Sequence, residues 1–219
     1  MTLRLLPAVL LALLGIAQAQ DGPDPATFVP QVARAVAGEG NDAFGKGDYK
    51  AARHAYEKVL ELAPGNLVAL VNLGLIEFRS GNSAAAEKFL KEAIRQRIET
   101  GAAWFTLGMI YSEQDRVEEA FGALSEAVVY DKANARAHNY LGVVLGRKGW
   151  LDGAEAELRK AVEIDANYRD AHYNLAVIYL QRKPPAVELA RRHYFRSIEL
   201  GGKADPLLEK SLIAPATKP

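Results

Sequence analysis

Gly40, Gly74, Gly108 and Gly142 stand 34 residues apart, and the next step lands on Ala176. Three further columns keep the same step: Ala52, Ala86, Ala120 and Ala154; Leu73, Leu107, Leu141 and Leu175; and Val59 followed by Ala93, Ala127 and Ala161. Four columns at one period mean a repeated unit. A unit of this size cannot bury an apolar face alone, so neighbouring units must stack on one another.

Within a unit the apolar positions return at helical spacing. Trp104, Leu107, Gly108 and Tyr111 sit at i, i+3, i+4 and i+7, one face of a first helix, and Ala120, Leu124 and Ala127 repeat that spacing in a second. Between the helices a turn residue suited to positive φ recurs: Gly47, Gly81, Asp115 and Gly149. Gly or Ala in the middle of both helices lets the pair cross closely, while Leu, Tyr and Trp fill the space beside the crossing.

This pattern resembles the tetratricopeptide repeat, which favours an aromatic at its fourth position, Leu-Gly at seven and eight, Tyr at eleven, Ala at twenty and twenty-seven, and Pro near thirty-two. The units run 33–66, 67–100, 101–134, 135–168 and 169–202. Glu39 replaces the usual Leu in the first, and the family proline is present only as Pro64. In the fifth, Lys183-Pro184-Pro185 moves the second helix by two residues, so Ala190, Tyr194 and Ser197 take the small and aromatic slots. The resemblance implies an all-α, right-handed solenoid of five helix–turn–helix repeats. Asp205-Pro206 then opens a capping helix over 203–213, with Asp205 as N-cap and Leu207, Leu208, Leu212 and Ile213 as its apolar residues. Residues 214–219 read as a loose tail.

The N-terminus has a different character. Arg4 precedes a twelve-residue apolar run, Leu5 to Ile16, with six leucines, and Ala17-Gln18-Ala19 follows. That is the form of a cleavable signal peptide over 1–19. The run is short against the ~20 residues that span a bilayer, so no stable membrane insertion is expected after cleavage. Residues 20–32, with Pro23, Pro25 and Pro30, read as a linker. An exported protein follows, with the bacterial periplasm as its expected address and secretion as the alternative.

Composition excludes several chemistries. Lys plus Arg and Asp plus Glu both number 27, which argues against a nucleic-acid partner held through phosphate. Cysteine is absent, excluding thiol nucleophiles, disulfides and Cys-ligated metals. His138 and His172 share a slot in adjacent units, where Trp104 stands in the unit before. Equivalent positions on stacked helices lie roughly 10 Å apart, beyond the reach of one ion whose ligands sit about 2 Å away. His54 and His193 lie on second helices without a spaced partner, so no metal or cofactor is expected. The acidic pairs Glu118-Glu119 and Glu155/Glu157 fall at slots expected to face solvent. No nucleophile–base ordering or phosphate-cradling loop is present. The chain reads as a non-enzyme.

Binding surface remains. The resemblance implies a concave face lined by first helices, whose second, fifth, ninth, twelfth and thirteenth residues meet a partner. Carried over, these are Asn41 and Phe44; Val71, Leu75, Phe78 and Arg79; Phe105, Met109 and Glu113; Arg136, Asn139, Val143 and Arg147; and Asp170, Tyr173 and Val177. Asn72 and Asn174 sit beside them. A family subset grips a terminal carboxylate with paired Lys, Arg and Asn. Asn41 and Asn72 match two of those slots, but Ala37, Ala102 and Thr106 fill the basic ones, which disfavours that ligand. Trp150, at an outer turn, is a possible second contact. The expected role is an adaptor or scaffold that binds a protein or peptide. The alternative is a structural or self-assembling subunit of a cell-envelope complex with an empty groove.

Overall fold

The computed structural model describes residues 31–213. The leader expected over 1–19, the linker up to residue 30 and the tail from 214 lie outside the described residues. Among those described, the chain is all α, with eleven helices and no strand. Five helix–turn–helix pairs follow in order: α1 (Gln31–Gly45) with α2 (Tyr49–Leu62), α3 (Leu67–Arg79) with α4 (Ser83–Gln96), α5 (Gly101–Glu113) with α6 (Val117–Tyr130), α7 (Ala135–Arg147) with α8 (Leu151–Ile164), and α9 (Arg169–Gln181) with α10 (Val187–Glu199). α11 (Pro206–Ile213) ends the described chain. The described residues divide into two compact units, with the boundary after Ala69.

In the first unit α1 packs on α2. A Cβ added to Gly40 would lie 3.0 Å from the ring of Tyr56, so glycine is what admits that aromatic. Asp48 caps α2 by accepting from the amide of Ala51 at 3.0 Å, just after Gly47 turns the chain with φ 76°.

The second unit repeats this device. A Cβ on Gly74, Gly108 or Gly142 would meet Leu90, Leu124 or Leu158 at 2.6, 2.5 and 2.6 Å, which is inside van der Waals contact. The glycine column is therefore a close-packing column. The turn column is a conformational one: Gly81, Asp115 and Gly149 have φ of 80°, 62° and 76°. Each first helix from α5 onward packs against the second helix before it, and α5, α7 and α9 also touch in sequence. That side-by-side placement builds the face described below.

The fifth pair closes on Ala190, Tyr194 and Ser197, all buried on α10. At α11, Asp205 accepts from the amides of Leu207 and Leu208 at 3.0 and 3.1 Å, as an N-cap should. The expected apolar face of this helix needs correction. Leu208 and Leu212, four residues apart, are buried, whereas Leu207 and Ile213 are each 80% exposed. On eight residues only one i, i+4 pair can face α10.

Candidate binding cleft

A cleft of about 600 Å³ opens across α5, α7 and α9. Of the residues expected from the sequence it gathers Arg136, Asn139, Val143, Arg147, Tyr173 and Asn174, with Glu113 and Asp170 at its margins. Tyr140 and Tyr168, which the sequence did not single out, line it as well. A neighbouring recess of about 150 Å³ holds Val177 beside Val143, Arg147 and Asn174.

Phe105 and Met109, expected at the binding face, do not line the cleft: they pack beneath residues that do. Phe105 and Met109 are buried, and Phe105 meets Tyr140 edge to face with ring centroids 5.7 Å apart. The guanidinium of Arg136 lies over Phe105, 5.2 Å from the ring centroid, with one nitrogen 3.7 Å from the sulfur of Met109. Asn139 is buried too. Its carboxamide oxygen accepts from Nδ2 of Asn174 at 2.9 Å, and Tyr168 lines the cleft with it. Burial, ahead of the nearby Asp170 charge, raises the Tyr168 phenol above its ordinary value. Tyr173 is half-buried and donates to Oδ2 of Asp205 at 2.7 Å, and this bond, followed by burial, lifts its pKa to about 12. Arg147 is held by Asp115, and Asp170 by Arg169 at 2.8 Å.

The remaining expected residues lie elsewhere. Asn41 and Phe44 belong to the first unit. There Asn41 accepts from the hydroxyl of Tyr56 at 2.6 Å, and Phe44 packs on Tyr49 at 5.5 Å. Val71, Asn72, Leu75 and Phe78 are half-buried on α3, and Arg79 is exposed at its end; none of them lines the cleft. Trp150 is 51% exposed, meets Phe121 edge-on at 5.4 Å, and carries the ammonium of Lys148 4.6 Å from its ring centroid.

One histidine and one acidic pair depart from the sequence expectation. His193 does have a partner: its Nδ1 lies 2.9 Å from Nδ1 of His172. Glu155 and Glu157 are not solvated. Glu157 meets Nδ1 of His138 at 2.6 Å, and its carboxyl sits below the ordinary value. Burial opposes that shift, and hydrogen bonds from His138 and Lys160 outweigh it. Glu155 takes a bond from Tyr179 at 3.1 Å and one from Arg182 at 2.5 Å. Glu87 makes the same junction with Tyr111 at 3.2 Å and Arg116 at 2.5 Å. The reason is geometric: a second helix packs against the first helix of its own repeat, where Glu157 meets His138, and against that of the next, where Glu155 and Glu87 are bound, so neither flank is free surface. Glu118 and Glu119 are exposed, as expected.

A further regularity links three successive repeats. Nε1 of Trp104 donates to the carbonyl of Ile98 at 2.7 Å. Nε2 of His138 and Nε2 of His172 each lie 3.2 Å from the carbonyls of Lys132 and Ala166. All three bonds reach back six residues, so a ring nitrogen at one slot anchors the loop before three successive first helices. Among the described residues no three His, Asp or Glu side chains gather as a metal would need, and no helix is long and apolar enough to cross a membrane.

The chain is 25% identical over 146 residues to protein O-mannosyl-transferase Tmtc3 of Drosophila melanogaster, covering 66% of this chain and 16% of that protein. It is 31% identical over 117 residues to BBSome complex member BBS4 of Mus musculus, covering 53% and 22%. The chain thus spans less than a quarter of the length of either relative. Among solved structures, MamA superposes with a TM-score of 0.63 at 25% identity, over 74% of this chain and 94% of that one. PilF of Pseudomonas aeruginosa gives 0.71 at 21%, over 78% of each chain. YrrB, described as a TPR protein with an unusual peptide-binding site, gives 0.61 at 24%, over 77% and 85%. The model of the tetratricopeptide repeat matches residues 38–99 and 105–169. That is more than half of the sequence, and the chain belongs to the tetratricopeptide repeat family.

Proposed function

We propose that the protein is an exported adaptor that binds an extended protein or peptide segment in the cleft across α5, α7 and α9. One observation carries this reading. Asn174 spends a single N–H on Asn139, which leaves it a second N–H and a carbonyl oxygen at the cleft. One such carboxamide can donate to a backbone carbonyl and accept from a backbone amide of the same peptide. Its partner Asn139 is buried, so the receiving group is held before a ligand arrives. The peptide-binding site of YrrB supports this reading by analogy of fold.

Export rests on the sequence of residues 1–19, and a periplasmic address on the bacterial look of that leader. The test has two parts. The mature protein recovered from an expressing bacterium should begin at Gln20, and should leave the cell with the periplasmic fraction. An envelope-fraction pull-down should then recover a partner with the wild-type chain and lose it with Asn174→Ala. Recovery unchanged by Asn174→Ala would place binding outside the cleft. Light scattering separates the adaptor, a monomer, from a self-assembling subunit.

A further inference from the structure

The cleft has a charge left over at each end. Four of its charged neighbours are neutralised in pairs, Arg147 by Asp115 and Asp170 by Arg169. Arg136 and Glu113 also line it, and neither has an opposite charge within 4 Å among the described residues. Arg136 is not merely a loose surface cation. Its guanidinium is laid over Phe105 and touches Met109, both buried, so the side chain is preordered without any donor spent on a carboxylate. The two charges also fall at opposite ends. Arg136 is the second residue of α7, and Glu113 is the last residue of α5, level in the repeat with Arg147 at the end of α7. Eleven helical residues separate those levels, about 16 Å at 1.5 Å per residue. The amino ends of α7 and α9 lie at the Arg136 level and add to its positive character.

Resting on the reading that a peptide occupies this cleft, we propose that its occupant is a bipolar segment, with an acidic side chain at Arg136 and a basic side chain at Glu113. An extended chain covers such a separation in about five residues, so the two charges stand four to six positions apart and their order fixes the direction in which the segment lies. A guanidinium can meet a carboxylate with two parallel bonds, or with one from the nitrogen that Met109 leaves free. The two neutralised pairs flank the site without favouring either sign.

Panning a random dodecapeptide library on the full chain tests this. Selected peptides should share an acidic residue with Lys or Arg four to six positions away. Arg136→Glu should replace the acidic preference by a basic one, and Glu113→Lys should reverse the other end. Each of Arg136→Gln and Glu113→Gln should weaken a selected peptide at least about five-fold, and more at low ionic strength. Both positions are exposed on helices, and circular dichroism of each variant checks that it folds. Selected peptides without charge bias, or with a bias that neither reversal moves, would overturn this inference while leaving the cleft reading intact, provided Asn174→Ala still abolishes their binding. Selected peptides indifferent to Asn174→Ala, or no selected peptide at all, would overturn both.

Discussion

His172 and His193 meet nitrogen to nitrogen, Nδ1 to Nδ1 at 2.9 Å, across the two helices of the fifth repeat. Nε2 of His172 faces the carbonyl of Ala166 and so carries a proton, which leaves its Nδ1 as an acceptor. One proton then sits between the two rings, donated by Nδ1 of His193, and any further proton on His193 goes to its Nε2. Burial, then the electrostatic influence of His172, Arg192 and Arg159, lowers the pKa of His193 to about 4, with Glu155 opposing.

A pH dependence follows, with a definite sign. The unfolded chain takes up this proton as pH falls through about 6.5, and the folded chain does not until about 4. Stability present above pH 6.5 is therefore lost progressively between those values. Discounted for the partial exposure of His193, the loss is about 1–2 kcal/mol. Thermal melts of wild type should decline from pH 7 to 4.5, and His193→Gln should flatten that decline. A variant that declines as steeply as wild type would assign the loss to other groups.

The glycine column makes a second prediction. A methyl at Gly108 meets the branch carbon of Leu124 at 2.5 Å, and Leu124 is fully buried. Gly108→Ala should cost about 1–3 kcal/mol. Gly122, on the exposed side of α6, has nothing within 4 Å of an added Cβ. Gly122→Ala should instead gain about 0.5–1 kcal/mol. Urea melts of the two variants give the signs directly.

Asp115 shows what the period could and could not tell. Its place in the turn column was legible, and it does adopt the left-handed φ of 62° that its neighbours in that column meet with glycine. The pairs, their turns, the close-packing column and the start of the cap were all written in spacings, because each depends on backbone geometry that one residue type serves best. The His172–His193 bond was not read, although its signal was present. Carrying the two-residue shift of α10 through sets His193 level with Glu157, the partner of His138 one repeat earlier. The cleft was half legible for another reason. Slots give the helix face, but whether a side chain there is free depends on its neighbours. Phe105 is covered by Arg136, and Tyr173 is tied to a carboxylate 32 residues away, contacts that no slot rule contains.

Asp115 also allows a test of its own. Asp115→Gly removes the strain of a non-glycine residue at positive φ and the exposed pair with Arg147, which is worth little. Stability should stay level or rise by up to about 1 kcal/mol. Asp115→Val keeps the strain, adds a branched Cβ and loses the pair, and should cost about 1–2 kcal/mol. If the valine variant melts with wild type, the left-handed turn does not constrain this position.

The last prediction separates anchoring of the cap from binding. Tyr173 faces the cleft, but its hydroxyl holds Asp205, the residue that caps α11. Tyr194 adds to the same junction by donating to Glu209 at 2.7 Å and accepting from the amide of Asp205 at 2.9 Å. Tyr173→Phe keeps the ring in the cleft and removes only the bond, so it should lower stability by about 1 kcal/mol and leave peptide binding nearly unchanged. Tyr173→Ala should do both kinds of damage, since it also removes the ring. Removing residues 203–219 should lower the melting temperature further, because it exposes the apolar side of α10 that Leu208 and Leu212 cover. Trp150→Ala, on the opposite turn edge, should cost about 1 kcal/mol through its contacts with Phe121 and Lys148 and should not move the binding of a cleft-selected peptide. Melting curves and peptide titrations on these variants answer the question together. Binding lost in Trp150→Ala and retained in Tyr173→Ala would move the recognition surface from the cleft to the turn edge.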